Sequence, residues 1–317
     1  MTPGLHSPTM PVTVLVAADV DRSFFDRAND PRFEVVSRPV RTEEELATIV
    51  GDAEVLVTRA YNRVTRRVIE SAPKLRLIAQ GTSGIDNIDL DAARERGVEV
   101  IHMPGVNADA VAELVIGFMI ALTRTVPFYT RDMVRGGWTR NDCATRHELR
   151  HHRLGIVGLG HVGRRVARLA RVFGMEVFAF DPYISDADFA ERQATRCTSL
   201  GELLDRSDIL TLHVPLTTET RTMIGEHEIR ALRGGSYLIN AARGEVLDQS
   251  AALTALRDDH LAGLALDVFD PEPPATSFPD DPRLILTPHI GGCSHEVKTT
   301  VGGQLYERIL AFYSRLQ

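Results

Sequence analysis

Apolar and polar positions along the chain fall into two series of short apolar runs separated by amphipathic stretches. In the first series, runs at 12–16, 33–36, 54–57, 75–79 and 98–101 alternate with segments suited to helices, the pattern of a parallel sheet with crossovers. Thr42 followed by Glu45, ahead of Leu46, Ile49 and Val50, has the form of a capping box and marks one helix start. The second series occupies 154–157, 176–180, 209–213, 237–240, 264–268 and 284–287. Two doubly wound α/β domains are expected. The last segment, 296–317, carries Val297, Val301, Leu305, Ile309 and Phe312 at helical spacing with no strand after it. It is expected to pack back on the first domain, so that 1–103 and 292–317 form one domain and 104–291 an insertion into it. A ligand is then expected in the cleft between domains, beyond the carboxyl ends of the strands.

Residues 153–181 hold the most specific local pattern. Gly158, Gly160 and Gly163 follow the apolar run 154–157, and Val162, Val166, Leu169, Ala170 and Phe173 then recur at helical spacing. Arg164, Arg165, Arg168 and Arg171 fill the opposite face, and Gly174 stops the helix before the next strand. In a β-α-β unit of this kind Gly158 makes the tight turn. Gly160 lets a pyrophosphate approach the backbone, and Gly163 lets the helix pack closely on its strand. First-turn amides and the positive helix end then face the phosphates. Asp181, at the end of the second strand, is placed to accept hydrogen bonds from a ribose diol and to repel the extra phosphate of NADP, which favours NAD. The ordinary alternative is a bare α/β turn with an exposed Asp.

Composition narrows the function classes. At 317 residues the chain is long enough for about two domains, and its formal charge of -7 gives no pull toward nucleic acid or an acidic membrane surface. The longest apolar stretch, 111–122, is interrupted by Glu113 and is too short to span a bilayer, so it reads as a buried helix. Cys143, Cys197 and Cys293 show no paired spacing, as expected of reduced thiols in a cytoplasmic protein. The residues before Pro11 lack the features of a signal peptide and are expected to be a loose tail.

Three polar residues fall just beyond predicted strands of the second series. Arg243 emerges from the apolar run 237–242 and is followed by Gly244; His289 sits between Pro288 and the pair Gly291-Gly292; Glu272 lies in the proline-rich loop 270–274. Singly, each has an ordinary alternative: a solvated loop arginine, an exposed acid, a hydrogen-bonded structural histidine. Together, after a dinucleotide fold, they form a candidate catalytic set stronger than any one of them alone. An imidazole handles the proton near neutral pH, a neighbouring carboxylate favours the imidazolium form, and a guanidinium meets developing oxyanion charge. Such chemistry needs no metal.

The ordered motifs Gly84-Ile85-Asp86-Asn87-Ile88-Asp89, Val111-Ala112-Glu113, Gly158-Leu159-Gly160-His161-Val162-Gly163, His213-Val214-Pro215-Leu216-Thr217, Asn240-Ala241-Ala242-Arg243-Gly244, Asp267-Val268-Phe269 with Glu272-Pro273, and Pro288-His289-Ile290-Gly291-Gly292 together resemble the D-isomer-specific 2-hydroxyacid dehydrogenase family. That family includes D-3-phosphoglycerate dehydrogenase and glyoxylate/hydroxypyruvate reductases. The resemblance implies a Rossmann NAD-binding domain inserted into a flavodoxin-like substrate domain. It implies an NAD-dependent oxidoreductase that interconverts a small D-2-hydroxy acid and its 2-oxo acid. His289 would be the acid/base, Glu272 its partner, and Arg243 the group that binds the substrate carboxylate and polarises its carbonyl. Gly158, Leu159, Gly160, His161, Val162 and Asp181 would hold the cofactor, with His213, Val214 and Pro215 passing its ribose, Ala241 and Ala242 nearby, and Asp267 near the nicotinamide carboxamide; Asp267 also reads as a helix cap or loop acid. Ser83 and Gly84 would belong to a carboxylate-binding loop. Arg59 would face a distal anionic group of the substrate, or else be a surface arginine at a strand end. That position tilts the reading toward D-3-phosphoglycerate, with glyoxylate/hydroxypyruvate reduction as the alternative and an NAD-sensing corepressor-like interaction protein as a rival of another class. A homodimer is implied by the resemblance alone.

Departures from the family pattern are informative too. Arg150-His151-His152-Arg153 replaces the more usual residues ahead of the glycine-rich strand and reads as a solvated basic turn. Glu272 stands where formate-specific relatives carry Gln. The chain stops after one predicted terminal helix, so the regulatory extensions of longer phosphoglycerate dehydrogenases are not expected. Cys293 reads as packing rather than chemistry.

Overall fold

The computed structural model describes residues 11–315 apart from 22, 24, 26–29, 142 and 276. The expected N-terminal tail, and the last two residues of the expected terminal helix, lie outside the described residues. By contacts the chain divides into two compact units, Met1–Val106 with His295–Gln317, and Asn107–Ser294.

In the first unit β1 (Val12–Val16), β2 (Phe33–Ser37), β3 (Val55–Thr58), β4 (Leu77–Gln80) and β5 (Glu99–Ile101) pair in parallel in the order β2-β1-β3-β4-β5. This is the flavodoxin-like order. The central strands are apolar throughout because both faces are covered: Val55, Leu56, Val57, Leu77 and Ile78 are fully buried. Thr42 accepts from the Glu45 N–H and Glu45 returns a bond to the Thr42 N–H, so the expected capping box starts the helix Glu43–Ile49. Leu46 of that helix meets Leu56, Val68, Ile69 and Ile78 in one core. The terminal helix His295–Ser314 lays Val301 and Leu305 against the end of β4. A side chain at Gly81 would come within 2.9 Å of the Val301 methyl, so glycine there permits the contact.

In the second unit β6 (Arg153–Val157), β7 (Glu176–Phe180), β8 (Thr195–Arg196), β9 (Ile209–Leu212), β10 (Ser236–Asn240), β11 (Leu261–Leu266) and β12 (Leu284–Leu286) form one parallel sheet in the order β12-β11-β10-β9-β6-β7-β8. The chain reverses its direction of winding between β6 and β9, the topological switch point where such Rossmann sheets bind ligands. Because every pairing is parallel, the carboxyl ends of β6, β7, β9, β10, β11 and β12 share one edge. The apolar stretch around 111–122 is the helix Ala108–Thr123, which buries Val111, Ala112, Val115 and Met119 with Val166, Ala167 and Ala170 of the helix His161–Val172. Among the described residues no single helix is long and apolar enough to cross a membrane.

Three expectations need correction. β8 is absent from the apolar pattern because its two residues are both exposed. β11 runs three residues earlier than the expected 264–268 and stops at Leu266, since Asp267 leaves the ladder to serve another loop. The basic turn is not simply solvated. Arg153 opens β6, and its Nε and Nη2 donate to Asp208 at 2.9 and 2.6 Å. The half-buried His152 stacks edge-on to Tyr237, with ring centroids 5.7 Å apart.

Candidate active site

At the first β-α junction of the second unit, Gly158 has φ +86°, a left-handed conformation that favours glycine. Its N–H donates to the Phe180 carbonyl at 2.9 Å, which clips the turn to the end of β7. A Cβ at Gly163 would lie 2.1 Å from the Gly158 carbonyl oxygen, so only glycine lets the helix sit this close to the strand. At Gly160 the same construction meets nothing within 4 Å. The loop therefore offers bare backbone and open space at the N-terminal end of a 12-residue helix, which fits the pyrophosphate of a dinucleotide. His161 and Val162 open that helix. Partial burial and the Arg164, Arg165 and Arg192 guanidiniums push the His161 imidazole below its ordinary value.

Asp181 lies at the end of β7 as expected, and its carboxylate is already engaged. Oδ2 accepts from the Leu159 N–H at 2.9 Å and Oδ1 from the Tyr183 N–H at 3.0 Å. On the other side of the switch point, the chain leaving β9 carries His213, Val214 and Pro215. The His213 carbonyl and a Val214 methyl crowd Gly158, with 2.7 and 2.8 Å left for a Cβ there. Burial pushes the His213 imidazole down to about 3, so it is neutral, with Nε2 3.0 Å from the Thr211 hydroxyl.

The three candidate catalytic residues come together along the same edge. Asn240, buried at the end of β10, accepts from the Ala242 N–H at 3.1 Å and donates to the Arg243 carbonyl at 2.9 Å, which folds Ala241, Ala242 and Arg243 into a tight turn. Gly244 follows, and a Cβ on it would fall 2.0 Å from the Phe269 carbonyl oxygen. The Arg243 turn thus rests directly on the loop that carries Glu272. Glu272 Oε1 accepts from the Phe269 N–H at 3.0 Å, and Oε2 lies 2.7 Å from His289 Nδ1. Burial works to raise the Glu272 carboxyl; the bond and charge of His289, the Phe269 N–H and the Arg243 charge outweigh it, so the carboxyl lies below its ordinary value.

His289 adopts φ +54°, a region uncommon for residues other than glycine and one that costs backbone energy. Asp267 accounts for its persistence. This aspartate is 1 % exposed. Its carbonyl accepts from the His289 N–H at 2.8 Å, Oδ1 accepts from the Thr287 hydroxyl and the Ile290 N–H at 2.6 and 2.8 Å, and Oδ2 accepts from the Gly291 N–H at 2.8 Å. Asp267 is the brace of the His289 loop. Asn240, Gly244 and Asp267 as a brace were not separable from their neighbours in the sequence. Their signal, a small polar or glycine residue one step beyond an apolar strand, becomes meaningful only once the strands are known to lie side by side. Cys293, expected in packing, is exposed.

The remaining candidates lie in the first unit, beyond β3 and β4. Arg59 and the loop Thr82-Ser83-Gly84 are partly exposed and tied together by amides. The Asn87 side chain donates to the Arg59 and Asn62 carbonyls, and Gln80 Nε2 donates to Thr82 Oγ1, the Gly84 carbonyl and Asn87 Oδ1. Ser83 Oγ accepts from the Gly105 N–H and donates to the Met103 carbonyl, each at 3.0 Å.

Comparison with known proteins gives this geometry its context. The profile of the family described as D-isomer specific 2-hydroxyacid dehydrogenase, NAD binding domain, matches residues 116–291. The D-3-phosphoglycerate dehydrogenase of Methanocaldococcus jannaschii is 39% identical over 84% of this chain and 51% of its own length. The hydroxypyruvate reductase of Thermotoga maritima is 34% identical over 89% of this chain and 91% of its own length. The chain spans about half the length of several phosphoglycerate dehydrogenases it matches. Among solved structures, a D-lactate dehydrogenase from Aquifex aeolicus complexed with NAD and lactic acid superposes with a TM-score of 0.85 at 26% identity, covering 95% of each chain. This chain belongs to the D-isomer-specific 2-hydroxyacid dehydrogenase family, and residues 116–291 fall in the NAD-binding domain of that family.

Proposed function

We propose that the protein is an NAD-dependent oxidoreductase that interconverts a small D-2-hydroxy acid and its 2-oxo acid. The observation that carries this reading is the Glu272–His289 pair standing beside Arg243 on the sheet edge that also presents the glycine-rich turn. When bound, the nicotinamide supplies a hydride to substrate C2 or accepts one from it. In reduction, protonated His289 gives a proton to the C2 oxygen as that oxygen gains charge; in oxidation the neutral imidazole removes the hydroxyl proton. With Nδ1 held by Glu272, Nε2 is the ring atom left to face the substrate. The Arg243 guanidinium binds the substrate carboxylate and draws electron density from the carbonyl. The Ser83-Gly84 loop in the first unit is assigned to carboxylate binding through its backbone, and Arg59 to a distal anionic group.

On that assignment the favoured substrate is D-3-phosphoglycerate, in keeping with the names of several relatives. Relatives named hydroxypyruvate reductase and glyoxylate reductase support the unphosphorylated alternative. A panel of 2-oxo acids, with and without a phosphate, decides between them by NADH oxidation. Turnover with 3-phosphohydroxypyruvate well above that with glyoxylate or hydroxypyruvate supports the first assignment, the reverse order supports the second, and no oxidation with any 2-oxo acid refutes the activity.

We further propose a homodimer in a reducing, cytoplasmic setting. The dimer is supported by exposed apolar side chains at Phe128, Met133, Val134 and Trp138, an unusual concentration for a solvated surface. The setting is supported by three free cysteines.

A further inference from the structure

The short helix Asp186–Glu191 lies beyond β7 and is pinned to the core by Phe189, 2 % exposed. Arg192, its C-cap residue, turns back toward the glycine-rich loop. Nη1 donates to the Leu159 carbonyl at 2.7 Å, and Nη2 donates to Asp188 Oδ1 at 3.2 Å, with the side chain only 19% exposed. Asp188 is itself fixed, because Oδ2 accepts from the Ser185 N–H and hydroxyl. Leu159 is thus held at both backbone groups: its N–H by Asp181 and its carbonyl by Arg192.

A trans peptide points its carbonyl and its N–H in opposite directions. Drawing the Leu159 carbonyl toward Arg192 therefore turns the Gly160 N–H away from it, and among the described residues that N–H has no acceptor. It is the N–H of the glycine whose Cβ position is open space. We propose that Arg192 is a positioning residue for the cofactor pyrophosphate: by holding the Leu159 carbonyl it sets the Leu159–Gly160 peptide so that the Gly160 N–H faces the phosphates, and it adds positive potential beside them. The proposal rests on the reading that this unit binds NAD and adds a residue outside the glycine motif. The bonds of Arg192 go to Leu159 and Asp188 and not to Arg243, Glu272 or His289, so its effect belongs to binding and not to the chemical step.

The test is calorimetric titration of the full chain with ADP-ribose, ADP and adenosine, alongside steady-state kinetics with NADH. A hydrogen bond from a charged donor has the size to give about a tenfold effect. Arg192→Met is expected to weaken ADP-ribose and ADP by about that factor, to leave adenosine unchanged, and to raise KM for NADH while preserving kcat. Arg192→Lys, which keeps charge and a donor, is expected to recover most of the loss. Should Arg192→Met not fold, Arg192→Gln carries the same expectation at reduced size. Equal losses for ADP and adenosine, unchanged ADP-ribose affinity, a fall in kcat with KM preserved, or no recovery by Lys would each overturn the proposal. Wild-type protein that binds none of the three ligands would instead refute the NAD reading on which it rests.

Discussion

His289 holds its imidazole from a left-handed backbone, and the bonds that keep it there converge on one buried carboxylate. Asp267→Asn exchanges an acceptor oxygen for an NH2 group that faces backbone N–H donors, so at least one buried donor loses its partner, at a cost of about 1–3 kcal/mol. The expected outcome is a lower melting temperature together with reduced turnover, while Glu272→Gln reduces turnover without the same loss of stability. A stable, fully active Asp267→Asn protein would refute the bracing role. Among the cofactor-site candidates, Asp181→Ala removes the clamp on Leu159 and the carboxylate proposed to accept from the ribose. NAD affinity should fall and the NADP/NAD ratio of kcat/KM should rise; an unaltered ratio would remove Asp181 from cofactor choice. Arg59→Ala should weaken a phosphorylated substrate far more than glyoxylate, and equal losses would sink its proposed contact.

The elements show why part of this was legible in the sequence and part was not. Strands β1 and β7 match their apolar runs, β1 opening directly after Pro11 and β7 lying between Gly174 and Asp181. The glycine spacing predicted the turn, and the helix begins at His161, directly after Gly160. What the pattern could not hold were pairings across long separations. Arg153 looks solvated until Asp208, 55 positions away, is known to lie beside it. Asn240, Gln80 and Asn87 look like ordinary strand-end polar residues until the backbone groups they bind are in place. Gly244 is the sharpest case, since its importance depends wholly on Phe269. Gly244→Ala should separate the Arg243 turn from the Glu272 loop, with a cost of about 1–3 kcal/mol for the forced shift and a loss of turnover larger than that of NADH affinity. Gly163→Ala crowds the other junction and should do the opposite, weakening NADH binding most; thermal melts and separate binding and rate measurements distinguish the two.

At the scale of the molecule, both parallel sheets carry their candidate site residues beyond strand carboxyl ends, and the acid sensitivity of the second unit follows from groups held away from their ordinary protonation. Burial lowers His152 and takes His213 to about 3 from 6.5. A histidine lowered in the folded state is protonated first in the unfolded chain, so its stabilisation is complete above pH 6.5 and declines as pH falls toward 3. Asp208 is lowered too, because the Arg153 bonds outweigh burial, and it loses its contribution at lower pH still. Melting temperature should therefore fall between pH 7 and pH 4, and less steeply in His213→Asn; identical slopes would contradict the assignment. The account as a whole stands on proton transfer by His289, and the most direct measurement compares wild type with His289→Gln in NADH oxidation by the best 2-oxo acid of the panel, with NADH affinity determined on the same preparations. Turnover lower by about 10²- to 10⁴-fold with NADH affinity retained is the predicted result, and undiminished turnover would contradict it.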